Sequence, residues 1–297
     1  MRTETVFQVK GTRHCLGART WVMGVLNVTP DSFFDGGRYF DSFRAAEHGL
    51  RLAAEGADII DIGGESSRPG SDPISAEEEI RRVVPVVSSM RAQTRILISV
   101  DTTKYETARA ALDAGADIIN DISSFGMDPR LLTLAAESGA GFILMHMRGV
   151  PKTMQASPRY GDVRAEVRAF LAEKLEIAAA YGIAAECLAV DPGIGFGKRL
   201  EDNCALIRNL ASIAELGRPV VVGVSRKSMI GKILDVPPEE RLEGSIAAAI
   251  VSLTRGAHIL RVHDVQSTCR AVRVADAILA EPADRAIPET REAGHAR

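Results

Sequence analysis

Aromatic residues make up only 5% of this 297-residue chain, which argues against an aromatic-cored β-sandwich, where ring packing fills much of the interior. Charge of one sign is also lacking. The 36 basic and 39 acidic residues leave a formal net charge of −3, so no global field exists to hold nucleic acid or an anionic membrane surface. Any anion site must be local. Cysteine is sparse: Cys15, Cys187, Cys204 and Cys269 lie far apart, without the close pairs of a zinc site, and four cannot staple a chain this long. They are expected to be reduced and buried. The most apolar run, residues 246–253, is too short to span a bilayer, and residues 1–10 lack the continuous apolar core of a secretion signal. A cytoplasmic setting is the expectation.

What the chain does have is aliphatic alternation. Short β-branched runs fall at 22–26, 59–62, 96–100, 118–120, 142–145, 188–190, 220–222 and 259–262. Amphipathic, Ala- and Leu-rich segments follow them at 42–55, 76–89, 105–114, 129–138, 163–181, 204–213, 239–255 and 265–279. Eight such units predict an α/β fold, a single (βα)8 TIM barrel. Two helix-to-strand joints repeat almost word for word, EGADIID at 55–61 and AGADIIND at 114–121, and RGAHILRV at 255–262 echoes them. In each, Gly supplies the helix C-cap. A doubly wound open sheet competes, but it would usually show a Gly-rich dinucleotide loop after the first strand, and LNVTPDSF is not one. Residues 5–21, with Gly11 and Gly17, are expected to form a hairpin capping the barrel bottom. The barrel domain is expected to span 1–280, with 281–297 a flexible C-terminal tail, charged and without period.

In such a barrel function collects at the carboxyl ends of the strands. Here those ends carry Asn27, Asp61 with Glu65, Asp101, Asn120 with Asp121, His146, Asp191, then Ser225, Arg226 and Lys227, and lastly Arg261 and His263. A single Asp61 or Asp121 reads equally well as a helix cap. A convergent cluster of both charge signs is costly to fold unless its members pair or bind something. Four Gly-containing stretches add to it. DPGIGFGK at 191–198 lets the backbone approach a flat ligand beside Phe196, and it lacks the spacing of a nucleotide-phosphate loop. GVSRKSMIG at 223–231 places Ser228 where a short helix begins, a setting that attracts a carboxylate or phosphate as well as a simple cap. NVTPDSFFDGG at 27–37 and GGESSRPGSDP at 63–73 are polar loops long enough to be lids.

Eight strings, MGVLNVTPDSFFDGG, DIGGESSRPG, SVDTTK, INDIS, LMHMRG, DPGIGFGK, GVSRKSMIG and RVHDV, resemble in family order the signatures of the dihydropteroate synthases, the folate-pathway enzymes that join a pterin to 4-aminobenzoate. The resemblance covers residues 21–279 and implies a transferase acting on 6-hydroxymethyl-7,8-dihydropterin diphosphate and 4-aminobenzoate. It implies that Asp101, Asn120 and Asp191 grip the pterin, with Lys227 on its carbonyl side and Met145 and Phe196 against the ring. Asn27, Arg261 and His263 are implied for the diphosphate, Asn27 also holding Mg²⁺ through its amide oxygen. Phe33, Ser67, Arg68, Pro69 and Ser228 are implied for the aminobenzoate, and Asp35 is expected to help settle a pterin cation or the incoming amine. Asp61, Glu65, Asp121 and His146 are expected as supports, and a homodimer with no nucleic-acid or membrane partner is implied. Ser67 stands where the family usually has Thr, and Phe34 where it usually has Ser. Two other readings stay open: a pterin-dependent methyltransferase on the same barrel, and a family member that binds ligands without turning them over.

Overall fold

The computed structural model describes residues 3–29, 42–66 and 70–280. The chain opens with an antiparallel hairpin, β1 (Thr5–Val9) and β2 (Thr12–Leu16), turning through Lys10 and Gly11 at φ 47° and 81°. Eight parallel strands follow: β3 (Trp21–Asn27), β4 (Ile59–Gly63), β5 (Leu97–Asp101), β6 (Ile118–Asp121), β7 (Gly141–Met145), β8 (Leu188–Asp191), β9 (Val221–Val222) and β10 (Ile259–Val262). Each of β3 to β7 pairs with the next, and β10 pairs with both β3 and β9. A parallel bridge from Val190 to Val220 joins β8 to β9, so the ring is nearly closed. This is the expected barrel.

Two apolar layers hold it. Outside, helix residues such as Val83, Val86 and Met90 of α2 (Ala76–Arg91) share a buried cluster with the outward side chains Ile60 and Ile62 of β4; α1 is Ser42–Ala54. Inside, Phe7, Val9 and Leu16 of the hairpin join Met23, Ile59, Ile143 and Ile259 from the starts of the strands. The hairpin is therefore a plug for the bottom of the barrel, as expected, and leaves the opposite end for the site.

The repeated joints work alike. Gly56, Gly115 and Gly256 sit at φ 109°, 111° and 113°, and Ala57, Ala116 and Ala257 donate back to Leu52, Ala111 and Ser252 in a Schellman-type stop. The next residue then caps the neighbouring strand. Asp58 accepts from the Val22 N–H and Asp117 from the Ile98 N–H, both at 2.9 Å, and His258 accepts from the Val220 N–H with Nδ1 at 3.1 Å.

Three expectations are corrected. The helix expected at 204–213 is two, Leu200–Arg208 and Ala211–Ala214, because Asp202 accepts from the Arg199 N–H at 3.0 Å and starts it earlier, and Asn209 ends the first segment. The helix expected at 239–255 is a 3-10 turn, Pro238–Glu240, followed by Leu242–Thr254. All four cysteines are free, but Cys15 is exposed on the hairpin and only Cys187 is fully buried, since alternate residues of a two-stranded plug face water. No helix among the described residues is long and apolar enough to cross a membrane.

Candidate active site

Strand register gathers the polar ends at the carboxyl end of the barrel. Asn27 pairs with Gly63, Gly63 with Asp101, Asp101 with Asn120, and Met145 with Asp191. Arg261 reaches inward from β10 and divides its guanidinium, Nε to Asp61 Oδ2 at 2.6 Å and Nη2 to Asp101 Oδ2 at 2.7 Å. Asn120 Nδ2 donates to the same Asp61 oxygen at 3.1 Å. Asp61, expected as a support, has no exposed surface and lies at the centre of this network, with its Oδ1 buried and unpartnered. Burial drives Asp101 up to about 7, Arg261 opposing and the nearby Asp61, Glu79 and Asp121 carboxylates adding to the rise. Burial works against the charge of Arg261, but Asp61 and Asp101 hold it on.

The second half of the site is the loop after β8. Asp191 Oδ1 accepts from the Gly193 N–H at 2.7 Å, and burial raises its carboxyl although Gly193, Lys227 and Arg261 oppose the rise. Lys227 donates to the Ile194 carbonyl and stands 4.2 Å from the centre of the Phe196 ring. Burial lowers Lys227 to about 8, Asp191 resisting. The glycines are required here. A Cβ at Gly193 would overlap the His146 carbonyl, and one at Gly195 would come within 2.8 Å of Lys227 Cδ, with φ at 67° and 85°. Met145 is buried at the end of β7, beside Gly193.

At the open side, Ser228 is exposed at the first position of the short helix Ser228–Leu234. Arg226 is ion-paired with Asp264 rather than free for a ligand, and sits at φ 57°. The Ser225 hydroxyl accepts from the His263 N–H at 3.2 Å and meets His263 Nδ1 at 3.1 Å, which fixes the imidazole over the mouth. Asn27 Oδ1 lies 3.9 Å from where Gly63 would carry a Cβ, so the glycine leaves space before that amide oxygen. Among the described residues no group of three or more His, Cys, Asp or Glu is placed to cage a metal. An Asn oxygen fits a hard cation that arrives with its own phosphate ligands. Phe33, Phe34, Asp35, Ser67, Arg68 and Pro69 lie outside the described residues.

Of the supports, Asp121 is a turn cap, accepting from the Ser123 N–H and hydroxyl and from the Phe125 N–H. Glu65 accepts from the Ile74 N–H at 2.9 Å and from Lys104 at 2.7 Å. His146 Nδ1 faces Lys198 Nζ at 2.8 Å, and burial with Lys198 and Arg148 nearby takes it down to about 3, so the ring is neutral. Two residues escaped the sequence reading. Glu79, buried in α2, receives Lys104, Thr102 and Thr107 on one oxygen. In the run AEEEIRR it looks like any surface acid, and only a helical period drawn through Val83 and Val86 points it inward. Lys198 ends the Gly-rich loop with no acid beside it, the one signal that it has other work.

Residues 23–263 match the family model of the pterin-binding enzymes. The dihydropteroate synthase of Escherichia coli is 50% identical over 258 residues, covering 87% of this chain and 91% of its own. A Xanthomonas albilineans dihydropteroate synthase solved with 4-aminobenzoic acid superposes with a TM-score of 0.87 at 46% identity, covering 94% of this chain and all of the other. The same enzyme solved with 7,8-dihydropteroate gives a TM-score of 0.81 at 44% identity, over 90% of this chain and 97% of the other. This chain therefore belongs to the pterin-binding enzymes and, within them, to the dihydropteroate synthases.

Proposed function

We propose that this chain is a transferase that condenses 6-hydroxymethyl-7,8-dihydropterin diphosphate with 4-aminobenzoate, giving 7,8-dihydropteroate and diphosphate, and that the polar strand ends do the work. The observation that carries this reading is the convergence of Asp61, Asp101 and Asp191 with Asn120 on Arg261 and Lys227 at the carboxyl end of the barrel. A pterin offers a guanidine-like donor edge, which buried carboxylates grip with paired, directional hydrogen bonds. Asp101, Asn120 and Asp191 take that edge, Lys227 faces the ring carbonyl, and Met145 and Phe196 pack on the ring.

In the reaction the bond from the pterin methylene carbon to the diphosphate oxygen breaks, the electron pair leaving with diphosphate. A resonance-stabilised pterin cation remains. The amine nitrogen of 4-aminobenzoate then forms the new carbon–nitrogen bond and gives up a proton. No protein nucleophile is needed, so this chain contributes by receiving the diphosphate on Arg261 and His263 and by holding amine and methylene in line. Mg²⁺, when bound, would neutralise charge on the departing diphosphate, and Asn27 is the residue that would hold it. Ser228 and the start of its helix receive the aminobenzoate carboxylate, with Phe33, Ser67, Arg68 and Pro69 closing over the ring. Asp35 settles the cation or the amine, and Asp35→Ala should slow turnover while leaving pterin binding intact.

We take residues 1–280 as one catalytic domain with 281–297 as its tail, in a cytoplasmic setting that suits four free thiols. A homodimer is part of the reading, supported by exposed Val251, Val274, Ile278 and Leu279 on the neighbouring helices Leu242–Thr254 and Val265–Leu279. Diphosphate release from the pterin substrate, measured with and without 4-aminobenzoate, tests the function. A methyltransferase has no use for Arg261 and His263 and releases none, whereas a non-catalytic binder takes up the pterin without turnover. Absence of amine-dependent release would overturn the reading.

A further inference from the structure

Every carbonyl of the loop after β8, from Gly193 to Gly197, receives a side-chain donor. Lys198 Nζ holds the Gly193 and Phe196 oxygens at 2.9 and 3.0 Å, Lys227 holds Ile194, Gln155 Nε2 holds Gly195, and the Tyr160 hydroxyl holds Gly197 at 2.8 Å. Lys198 does more than its share. It crosses to the end of β7, where it also meets His146 Nδ1 at 2.8 Å and the His146 carbonyl at 3.3 Å, and it is only 3% exposed. Three carbonyl oxygens, with the His146 ring nitrogen beside them, surround an amine that has three protons when charged and two when neutral. The site is thus built for an ammonium, although no carboxylate among the described residues touches it and burial pulls Lys198 down to about 7. The charged groups that act on it are Asp191 and Asp202, which hold the proton on, and Lys227 and Arg148, which push it off.

Resting on the function proposed above, we infer that Lys198 is a positioning residue for the pterin: its ammonium clips the 193–197 loop to the end of β7 and so sets where Asp191 and Phe196 stand, without touching substrate. Close approach makes the clip effective. Gly193 and Gly197 press on the carbonyls of His146 and Arg148, where a Cβ on either would overlap, so the loop has no slack once Lys198 is in place. The far substrate should not feel it, since Ser228 lies on a different strand end.

Lys198→Met keeps the apolar stem and removes all the donors. Amine-dependent diphosphate release by the unaltered protein is measured first, which settles the function by itself. In K198M the KM for the pterin diphosphate should then rise about tenfold or more, the loss expected for a few positioned hydrogen bonds, with the KM for 4-aminobenzoate changed less than about twofold. Equal changes in both KM values, or in neither, would overturn the inference. Should K198M fail to fold, the half-buried Tyr160→Phe and the exposed Gln155→Ala, which remove the clips on Gly197 and Gly195, are combined. That double variant should show the same one-sided rise of about threefold or more. If the unaltered protein proves inactive, calorimetric titration with the pterin diphosphate alone reads the same loss, and unchanged affinity in K198M defeats the inference independently of the reaction.

Discussion

Arg261 Nη2 meets Asp101 Oδ2 at 2.7 Å while the same guanidinium holds Asp61 through Nε at 2.6 Å. The two carboxylates differ in access, Asp61 having no exposed side-chain surface and Asp101 12%. Asp61 is thus the fixed anchor, and Asp101 is the partner that a ligand at the mouth can reach. Asp61→Asn keeps the shape and removes the charge facing Arg261. It should cost about 3 kcal/mol of stability, because a buried guanidinium loses half its pairing, and should lower turnover about a hundredfold. Denaturant melts and steady-state rates check this, and an active, fully stable D61N would refute the anchoring role.

Asp101 leads to a pH effect whose sign can be worked out. Its carboxyl titrates near 7 in the folded protein against 3.8 ordinarily, so the folded state binds the proton more tightly and stability falls as pH rises from about 4 to 7. Asp101→Asn removes that penalty. The variant also gives up half of the Arg261 pairing, so the expected signature is in the slope: the fall in melting temperature from pH 4 to pH 8 should be smaller in D101N than in the unaltered protein. Pterin affinity of the unaltered protein should climb between pH 6 and 8 as Asp101 ionises, and should be weak and flat in D101N. A lower melting temperature for D101N at pH 8 would show that the bond to Arg261 outweighs the desolvation.

The sequence makes the frame legible because barrel units advertise themselves locally. A β-branched run marks each strand, and the repeated joints at Gly56, Gly115 and Gly256 differ by only 4° in φ. Even the unlike residue in the third joint fits, His258 accepting the same strand N–H that Asp58 and Asp117 accept in the others. The mouth was legible too, since the barrel rule places strand-end residues there. What local pattern cannot give is pairing across the barrel. That Arg261 would join Asp61 and Asp101 depends on β10 lying beside β3, a contact between residues 160 and 200 positions apart. Lys198 on His146 and Glu79 under Lys104 are likewise non-local, and neither side chain's partner can be read from the run it stands in.

The glycines of the loop after β8 permit a controlled steric comparison. Gly193 and Gly217 share a left-handed backbone at φ 67° and 70°, but a Cβ on Gly217 meets nothing within 4 Å whereas one on Gly193 overlaps His146. Gly217→Ala should cost only the backbone term, about 1 kcal/mol. Gly193→Ala should cost about 2–3 kcal/mol more and displace the loop, raising the KM for the pterin. Urea midpoints of the two variants, taken side by side, separate backbone strain from overlap. Equal losses would mean that the loop moves aside without cost.

Glu79 and Lys104 offer the sharpest energetic test away from the ligand. Glu79 is 1% exposed, its Oε2 takes Lys104 at 2.9 Å and the hydroxyls of Thr102 and Thr107 at 3.1 Å, and its Oε1 is buried without a partner. Among the described residues Lys104 is the only cation that bonds it, and it also ties down Glu65, which accepts from the Ile74 N–H. Removing the cation alone, in Lys104→Met, leaves a bare carboxylate in the interior and should cost about 3–5 kcal/mol. Glu79→Gln should cost less, since Lys104 keeps Glu65 and the amide oxygen still serves the threonines. The double variant should be more stable than the sum of the two losses by about 1–3 kcal/mol, because the charge that needed Lys104 is gone. Strict additivity in a double-mutant cycle by urea unfolding would mean that Glu79 is held by its threonines and that Lys104 serves Glu65 alone.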